Sequence, residues 1–339
     1  MNTNGPELAV PDIFRESDSY YLIGFRPADP ASNGRFHKIT VKTTRRGLDV
    51  HARTGYTAPA PTERAGPGAT ALSEPVRAAL TGLLPASATP IDLNAAVVAV
   101  PGARTSAVVL TVGVDGFAAG TVPPANVPLD VVASAFDRGG HPKGVARQTL
   151  NVSWARSPAA PDRRFDVLSR LDLPPGEYEI RVAVSSGADA RTASVFAYVT
   201  VPAFAAAPLS LSNVIVNATP GTLAAPKDFL ASVVPIVPTG RREFERADRL
   251  VAFFRIYQGT GRNDALAPVQ LRCSVFDASD RMVANETSVI GAGEFATART
   301  ADHYVTLPLT GLTPGEYLLE VETTMGQRTA GRALRFAVK

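Results

Sequence analysis

The chain holds one cysteine, Cys273, in 339 residues, so no intrachain disulfide can form and no cysteine-based metal cage is available. Charged residues are sparse at 19%, against 45% hydrophobic residues, a balance that excludes wholesale disorder. The net charge of +3 comes from basic residues scattered in short clusters such as Arg45-Arg46 and Arg241-Arg242. That lacks the concentrated basic stripe a nucleic-acid footprint requires, and nucleic acid is not an expected partner. No apolar run approaches the roughly 18 residues of a membrane-spanning helix, so no membrane insertion is expected. Catalytic signatures are missing as well: there is no Gly-x-Ser-x-Gly elbow, no phosphate-binding loop and no HExxH pair. The four histidines, His37, His51, His141 and His303, are scattered through strand and loop positions.

What is abundant is turn chemistry, with 28 prolines and 27 glycines, and a chain this long favours more than one domain. The phrase LPPGEYEIRV at Leu173–Val182 recurs as LTPGEYLLEV at Leu312–Val321. Aligning the two without a gap upstream sets Phe165 on Tyr304 and Leu168 on Leu307. Further upstream LDVVASAFD (129–137) meets VQLRCSVFD (269–277), and SAVVLTVGVDG (106–116) meets LVAFFRIYQG (250–259). Downstream, RTASVFAYVTV (191–201) meets RTAGRALRFAV (328–338). Segments matching in one order argue for a duplicated domain.

Each segment reads as a strand. In GEYEIRVAV, Tyr178, Ile180, Val182 and Val184 alternate with Glu177, Glu179 and Arg181, the period of two of a sheet buried on one face and wet on the other. Gly176 and Gly315 each follow a proline that presets a turn, and each accepts a positive φ. Tyr178 and Tyr317 then match the tyrosine corner of immunoglobulin-like sandwiches, whose hydroxyl bonds back to backbone at a sheet-to-sheet crossover. Upstream, ALSEPVRAALTGLLP predicts a short helix from about Glu74 to Thr81, with Ser73 as N-cap and Gly82 as stop, after the proline- and alanine-rich stretch at 58–71.

Asp18–Pro59, DSYYLIGFRPADPASNGRFHKITVKTTRRGLDVHARTGYTAP, resembles the segment that closes the von Willebrand factor A domain in bacterial VWFA-related proteins. The likeness rests on the YYLIGF strand, the GRFHKI strand and the R-x-GY ending, and extends loosely over the C-terminal β region. It implies an α/β A-domain remnant at 1–57, a linker with a short helix at 58–85, and a location in the envelope or outside the cell. The family's Asp-x-Ser-x-Ser metal motif is absent, Asp277-Ala278-Ser279 being followed by Arg281 where the second serine belongs. The resemblance therefore implies that the start of the A domain, with its metal site and any signal peptide, precedes this chain; the opening MNTNGPELAV has no signal-peptide order.

The expected fold is all-β: two tandem immunoglobulin- or fibronectin type III-like sandwiches, at 86–203 and 204–339, after the A-domain remnant. No catalytic residue, cofactor or firm metal site is assigned, and the function expected is a non-enzymatic protein-binding or scaffold module with an unidentified protein partner. The alternatives are accessory domains of a hydrolase or carbohydrate-active enzyme, and a calcium-stabilised adhesion module. For calcium the candidates are Asp137, Asp277 and Asp280, against the commoner reading of each as a turn carboxylate bonding its own backbone. Interaction candidates are Phe253, Phe254 and Tyr257, crowded on one strand where adjacent residues face opposite ways, against packing under a neighbouring domain, and Arg241 and Arg242 at the head of GRREFERADR, against the default reading of a solvated loop. Cys273 falls in an alternating strand and reads as a small buried hydrophobe.

Overall fold

The computed structural model describes residues 36–42, 55–57, 72–82, 84–86, 89–115, 127–152, 164–186, 191–260 and 262–339. These are mostly β. Near the N-terminus β1 (Phe36–Lys38) pairs antiparallel with β2 (Gly55–Thr57), bringing together the GRFHK and R-x-GY segments. The strand expected at Ser19–Phe25 lies outside the described residues. The helix α1 spans Glu74–Thr81 as the capping pattern predicts, and closes with the Gly82 amide on the Ala78 carbonyl at 2.9 Å. Ser73 makes no side-chain cap; its carbonyl instead accepts from the Arg77 amide.

Seven strands follow: β3 (Ile91–Ala99), β4 (Ser106–Asp115), β5 (Val127–Asp137), β6 (Pro142–Val152), β7 (Arg164–Leu173), β8 (Gly176–Ser186) and β9 (Thr192–Val201). They form one sheet in the order β7-β4-β3 and another in the order β6-β5-β8-β9. Ten more complete the chain: β10 (Ser210–Leu211), β11 (Ile215–Thr219), β12 (Leu223–Ala225), β13 (Glu243–Phe244), β14 (Arg249–Tyr257), β15 (Val269–Asp277), β16 (Met282–Ile290), β17 (Thr300–Leu307), β18 (Gly315–Met325) and β19 (Arg328–Val338). In one sheet β14 pairs with β10, β11 and β17; in the other the order is β13-β19-β18-β15-β16. The neighbours β6-β5-β8-β9 and β7-β4-β3 thus recur as β16-β15-β18-β19 and β17-β14-β11. Even the register shifts recur, between Ala135 and Phe136 and between Val275 and Phe276.

One part of the sequence alignment needs correction. Only Pro174 and Pro175 separate β7 from β8, whereas residues 308–314, with a 3-10 turn at Leu309–Gly311, separate β17 from β18. The second half therefore carries five extra positions there, an odd number, and an odd slip moves every side chain of a strand to the opposite face. Leu168, set against Leu307 by the gapless alignment, points out of the first core, whereas Leu307 points into the second. With the turn allowed for, Leu173 falls on Leu307, and both point inward.

In each half the two sheets face each other across a core. Val108, Leu110 and Val112 of β4 meet Val131 and Ala133 of β5 and Ile180 and Val182 of β8. Leu250, Ala252 and Phe254 of β14 meet Leu271 and Cys273 of β15 and Leu319 and Val321 of β18. Between the halves lies a third cluster, in which Val98, Val109 and Leu168 pack against Ile215, Leu230, Val233 and Phe253. This is why β4 is buried from Ser106 to Val114: one face fills a core and the other the junction, so neither is left wet.

The outer face of β5 and β8 corrects the alternation reading, which left Arg181 on the wet side. Arg181 and Ala183 are buried, because Val76, Ala79 and Leu80 of α1 pack over Val132 and Ala183. Arg181 Nη1 donates to the carbonyls of Leu80 (2.5 Å) and Gly82 (3.4 Å) at the helix C-terminus, where the helix dipole favours a cation. Val132 and Ala183 pair across strands; at the equivalent place in the second half Arg272 pairs with Glu322, an ion pair at 3.0 Å. The first half carries an apolar outer face and a helix to cover it, and the second carries charges there.

Candidate functional site

Of the interaction candidates, Phe253, Tyr257 and Arg242 lie at the junction between the halves. Phe253, Phe254 and Tyr257 are all 0% exposed, which corrects their reading as a surface interaction patch. Adjacent strand residues face opposite ways, so Phe254 enters the second core while Phe253 and Tyr257 face the first half. The Tyr257 ring lies 4.7 Å from that of Phe204, and its hydroxyl accepts from the Ala99 amide at 2.9 Å. Burial pushes the phenol pKa up, so the hydroxyl stays neutral.

Beside this apolar contact lies a charged one. Asp166, on β7 and wholly buried, accepts through Oδ2 from Thr239 Oγ1 at 2.8 Å and from the Gly240 amide at 3.0 Å. Its Oδ1 faces Arg164 Nε at 3.2 Å. Arg164 also forks onto Asp92, Nη1 to Oδ2 at 2.6 Å and Nη2 to Oδ1 at 2.9 Å. Asn94 Nδ2 donates to the Gly240 carbonyl at 3.1 Å. Burial would by itself lower the Arg164 pKa, but Asp92, Asp166 and Asp115 reverse the sign and hold the guanidinium charged. For Asp166 burial wins and its pKa is raised, despite Arg164, Gly240 and Thr239. A Cβ at Gly240 would come 2.5 Å from Arg164 Nη2 and 3.1 Å from Asp166 Oδ1, so a larger residue there would push the Arg164 guanidinium out of its present place.

A third contact is covalently part of the second half. The segment from 220 to 248 leaves β11, and its β12 adds in parallel to the edge of β7 in the first half, Leu223 opposite Phe165 and Ala225 opposite Val167. The segment then passes Thr239 and Gly240 and reaches Arg241 and Arg242. Arg241 is engaged inside its own half: Nη2 bonds Asp248 Oδ2 at 2.8 Å, and the guanidinium lies 5.3 Å from the Phe244 ring. Arg242 is half-buried on the wall of a cleft of about 420 Å³ between the halves, lined also by Ala95, Asn213, Val214 and residues 333–337 of β19. Its Nη1 donates to the carbonyls of Arg241 (2.7 Å) and Thr239 (3.2 Å). Burial lowers its pKa to about 10, with Asp92 and Asp166 pulling the other way and Arg164 adding to the fall.

The candidate calcium carboxylates do not gather. Asp137 Oδ1 accepts from the amides of Gly139 (2.8 Å) and His141 (2.9 Å), and Oδ2 faces Lys143 Nζ at 3.0 Å. Burial opposes its ionisation, yet the His141 amide, Lys143 and the Gly139 amide outweigh it and hold the pKa at about 2. Asp277 repeats the pattern with the amides of Ser279 and Arg281 and the Arg281 guanidinium, and its pKa is likewise lowered. Asp280 sits in the turn at φ 59°. Among the described residues no group of three or more metal-ligating side chains converges. A cation already occupies Oδ2 of Asp137 and of Asp277, so a divalent ion would have to displace it there.

The two tyrosines repeat each other. Tyr178 Oη donates to the Pro174 carbonyl at 2.9 Å and Tyr317 Oη to the Thr313 carbonyl at 2.7 Å, while Gly176 and Gly315 hold φ of 157° and 158°. Cys273 is buried in the second core and its thiol is pushed up to about 12 by burial. Sequence reasoning missed Arg164, Asp166, Asp92 and Thr239. Asp166 left no distinct signal, because RFDVLSRLDL also carries Arg164, Ser169, Arg170 and Asp172, and one more charged residue in it does not stand out.

No family model matches the chain, and no curated protein does. Among solved structures it is similar to the BSP domain of a biofilm-associated protein, at 12% identity and a TM-score of 0.28 over 74% of this chain and 29% of that one. A putative β-galactosidase from Bacteroides fragilis follows at 7% identity and 0.27, over 68% of this chain and 32% of that one. Latent PorU from Porphyromonas gingivalis gives 13% and 0.27, over 74% and 20%. The chain spans about a third or less of the length of these structures, none is a von Willebrand factor A protein, and likenesses this small carry no functional argument.

Proposed function

We propose that the chain is a non-enzymatic binding or scaffold module, built from two tandem immunoglobulin- or fibronectin type III-like sandwiches at 86–203 and 204–339. The observation that carries this reading is the junction. Domains joined in one chain move relative to each other by default, unless the interface between them is large and apolar. Here the buried cluster around Phe253, the Asp166 network and the parallel addition of β12 to β7 act together to hold one relative orientation. A fixed orientation suits a spacer or a presenting scaffold.

The pairing of β1 with β2 supports reading 1–57 as the end of an A domain in a bacterial VWFA-related envelope or secreted protein, because it joins the two segments that carry the resemblance. Residues 58–85 then act as linker, with α1 as the strap that seats it on the first sandwich. Scanning calorimetry of the full chain tests the scaffold reading: one cooperative transition is expected, and two resolved transitions would sink it. Turnover of chromogenic glycosides or esters by the purified chain would move it to the hydrolase class.

A further inference from the structure

We propose that the cleft between the halves binds the C-terminal end of an extended polypeptide, which adds as a parallel strand to β19 and sets its terminal carboxylate on Arg242. This deepens the binding-module reading and rests on it for the class of partner, a protein. The strand β19 pairs with β18 along its whole length, Arg328 to Val338. On its other side, among the described residues, only β13 pairs with it, Glu243 opposite Ala337 and Phe244 opposite Val338. The amide of Ala337 donates to the Arg242 carbonyl and that of Lys339 to the Phe244 carbonyl, which fixes the side toward which alternate amides point. The period of two turns the Ala333 amide to the same side, into the cleft.

The direction of an added strand follows from β13. It runs parallel to β19, so a peptide laid beside residues 333–336 in the same sense heads toward β13 and must stop where Arg242 stands. The protein's own chain does not fill this place, because it reaches Arg242 from Thr239 and Gly240, which are tied to Asp166 of the other half. A chain end there needs a cation for its carboxylate. Arg242 supplies one: among the described residues no carboxylate makes an ion pair with it, and its guanidinium donates to the backbone carbonyls of Thr239 and Arg241 through Nη1.

The walls suit a backbone. Ala95, Ala333 and Ala337 are too small to screen the main chain, and a cleft of about 420 Å³ falls within the usual range for ligand sites. Of the two acidic residues on the wall, Glu243 is paired with Lys339, and exposed Glu316 would disfavour acidic side chains just before the chain end. Strand addition with capture of a terminal carboxylate is an established form of peptide recognition.

The test uses the full chain and two pools of randomised five-residue peptides carrying an N-terminal fluorophore, one pool with a free C-terminal carboxylate and one amidated, read by fluorescence anisotropy. The free-acid pool is expected to bind at least about tenfold more tightly than the amide pool, the size of one charge-assisted hydrogen bond. Arg242→Gln should abolish that preference, and Ala333→Pro, which removes an edge amide at a place where proline is tolerated, should weaken binding of both pools. Equal binding of the two pools by the wild-type chain, binding of neither, or a preference that survives Arg242→Gln overturns the proposal. The calorimetric test of the scaffold is read separately, so failure of the cleft and failure of the scaffold remain distinct results.

Discussion

The hydroxyl of Tyr257, at the end of β14 in the second half, accepts a hydrogen bond from the backbone amide of Ala99, the last residue of β3 in the first. The bond is buried, and no water can take its place without opening the junction. Tyr257→Phe keeps the ring against Phe204 but leaves the Ala99 amide without an acceptor. The expected cost is about 1–3 kcal/mol, the penalty of an unsatisfied buried donor, read as a lower urea midpoint at unchanged slope.

Asp166→Ala strikes the same junction from its charged side. It leaves Arg164 with Asp92 and Asp115 and removes the acceptor for Thr239 and Gly240. Breaking a buried ion pair by removing one partner costs about 3–5 kcal/mol. Calorimetry of this variant should show the single transition of the wild type broadening or splitting, because the lost bonds run between halves. Asp166→Asn retains an acceptor oxygen and should cost less.

How far the sequence reveals this molecule depends on which face of a strand is asked about. Inward faces were legible: Tyr178 and Tyr317 repeat one turn, and Asp137 and Asp277 one carboxylate clamp, because local chemistry sets them. Outward faces were not, because what covers them arrives from elsewhere in the chain. Arg181 looked wet by alternation and lies under α1; Phe253 and Tyr257 looked like a surface and form the junction. The slip at Leu168 has a comparable cause: a five-residue difference in a loop reverses a strand's faces while leaving its composition unchanged.

Arg181 offers a test of the strap. Its guanidinium ties β8 to the Leu80 and Gly82 carbonyls and stacks 4.6 Å from the Phe196 ring. Arg181→Ala should free α1 more readily than it unfolds the sheet beneath it. Limited proteolysis should then cut faster within 72–86, while the unfolding midpoint falls by about 1–3 kcal/mol equivalent.

Calcium is expected to leave the melting temperature of the wild-type chain unchanged. Asp137 and Asp277 already accept two amides each and face Lys143 and Arg281. A rise in melting temperature with Ca²⁺ that disappears in Asp277→Ala would favour the adhesion-module alternative.

The same clamp makes stability depend on pH in a direction that can be worked out. The folded pKa of Asp137 is depressed to about 2, so the folded state holds its proton less tightly than the unfolded chain does. Its contribution is therefore present above the ordinary carboxylate pKa of about 4 and is lost as pH falls toward 2. Asp166 works in the opposite sense: its raised pKa gives a contribution present at low pH and lost as pH rises through the folded value. Asp137→Asn keeps an oxygen for the Gly139 and His141 amides but loses the charge facing Lys143. The stability gap between wild type and Asp137→Asn, followed by urea unfolding from pH 7 downward, should hold steady to about pH 4 and then close toward pH 2. A gap that is constant across the whole range would mean that the carboxylate's charge contributes nothing to the turn.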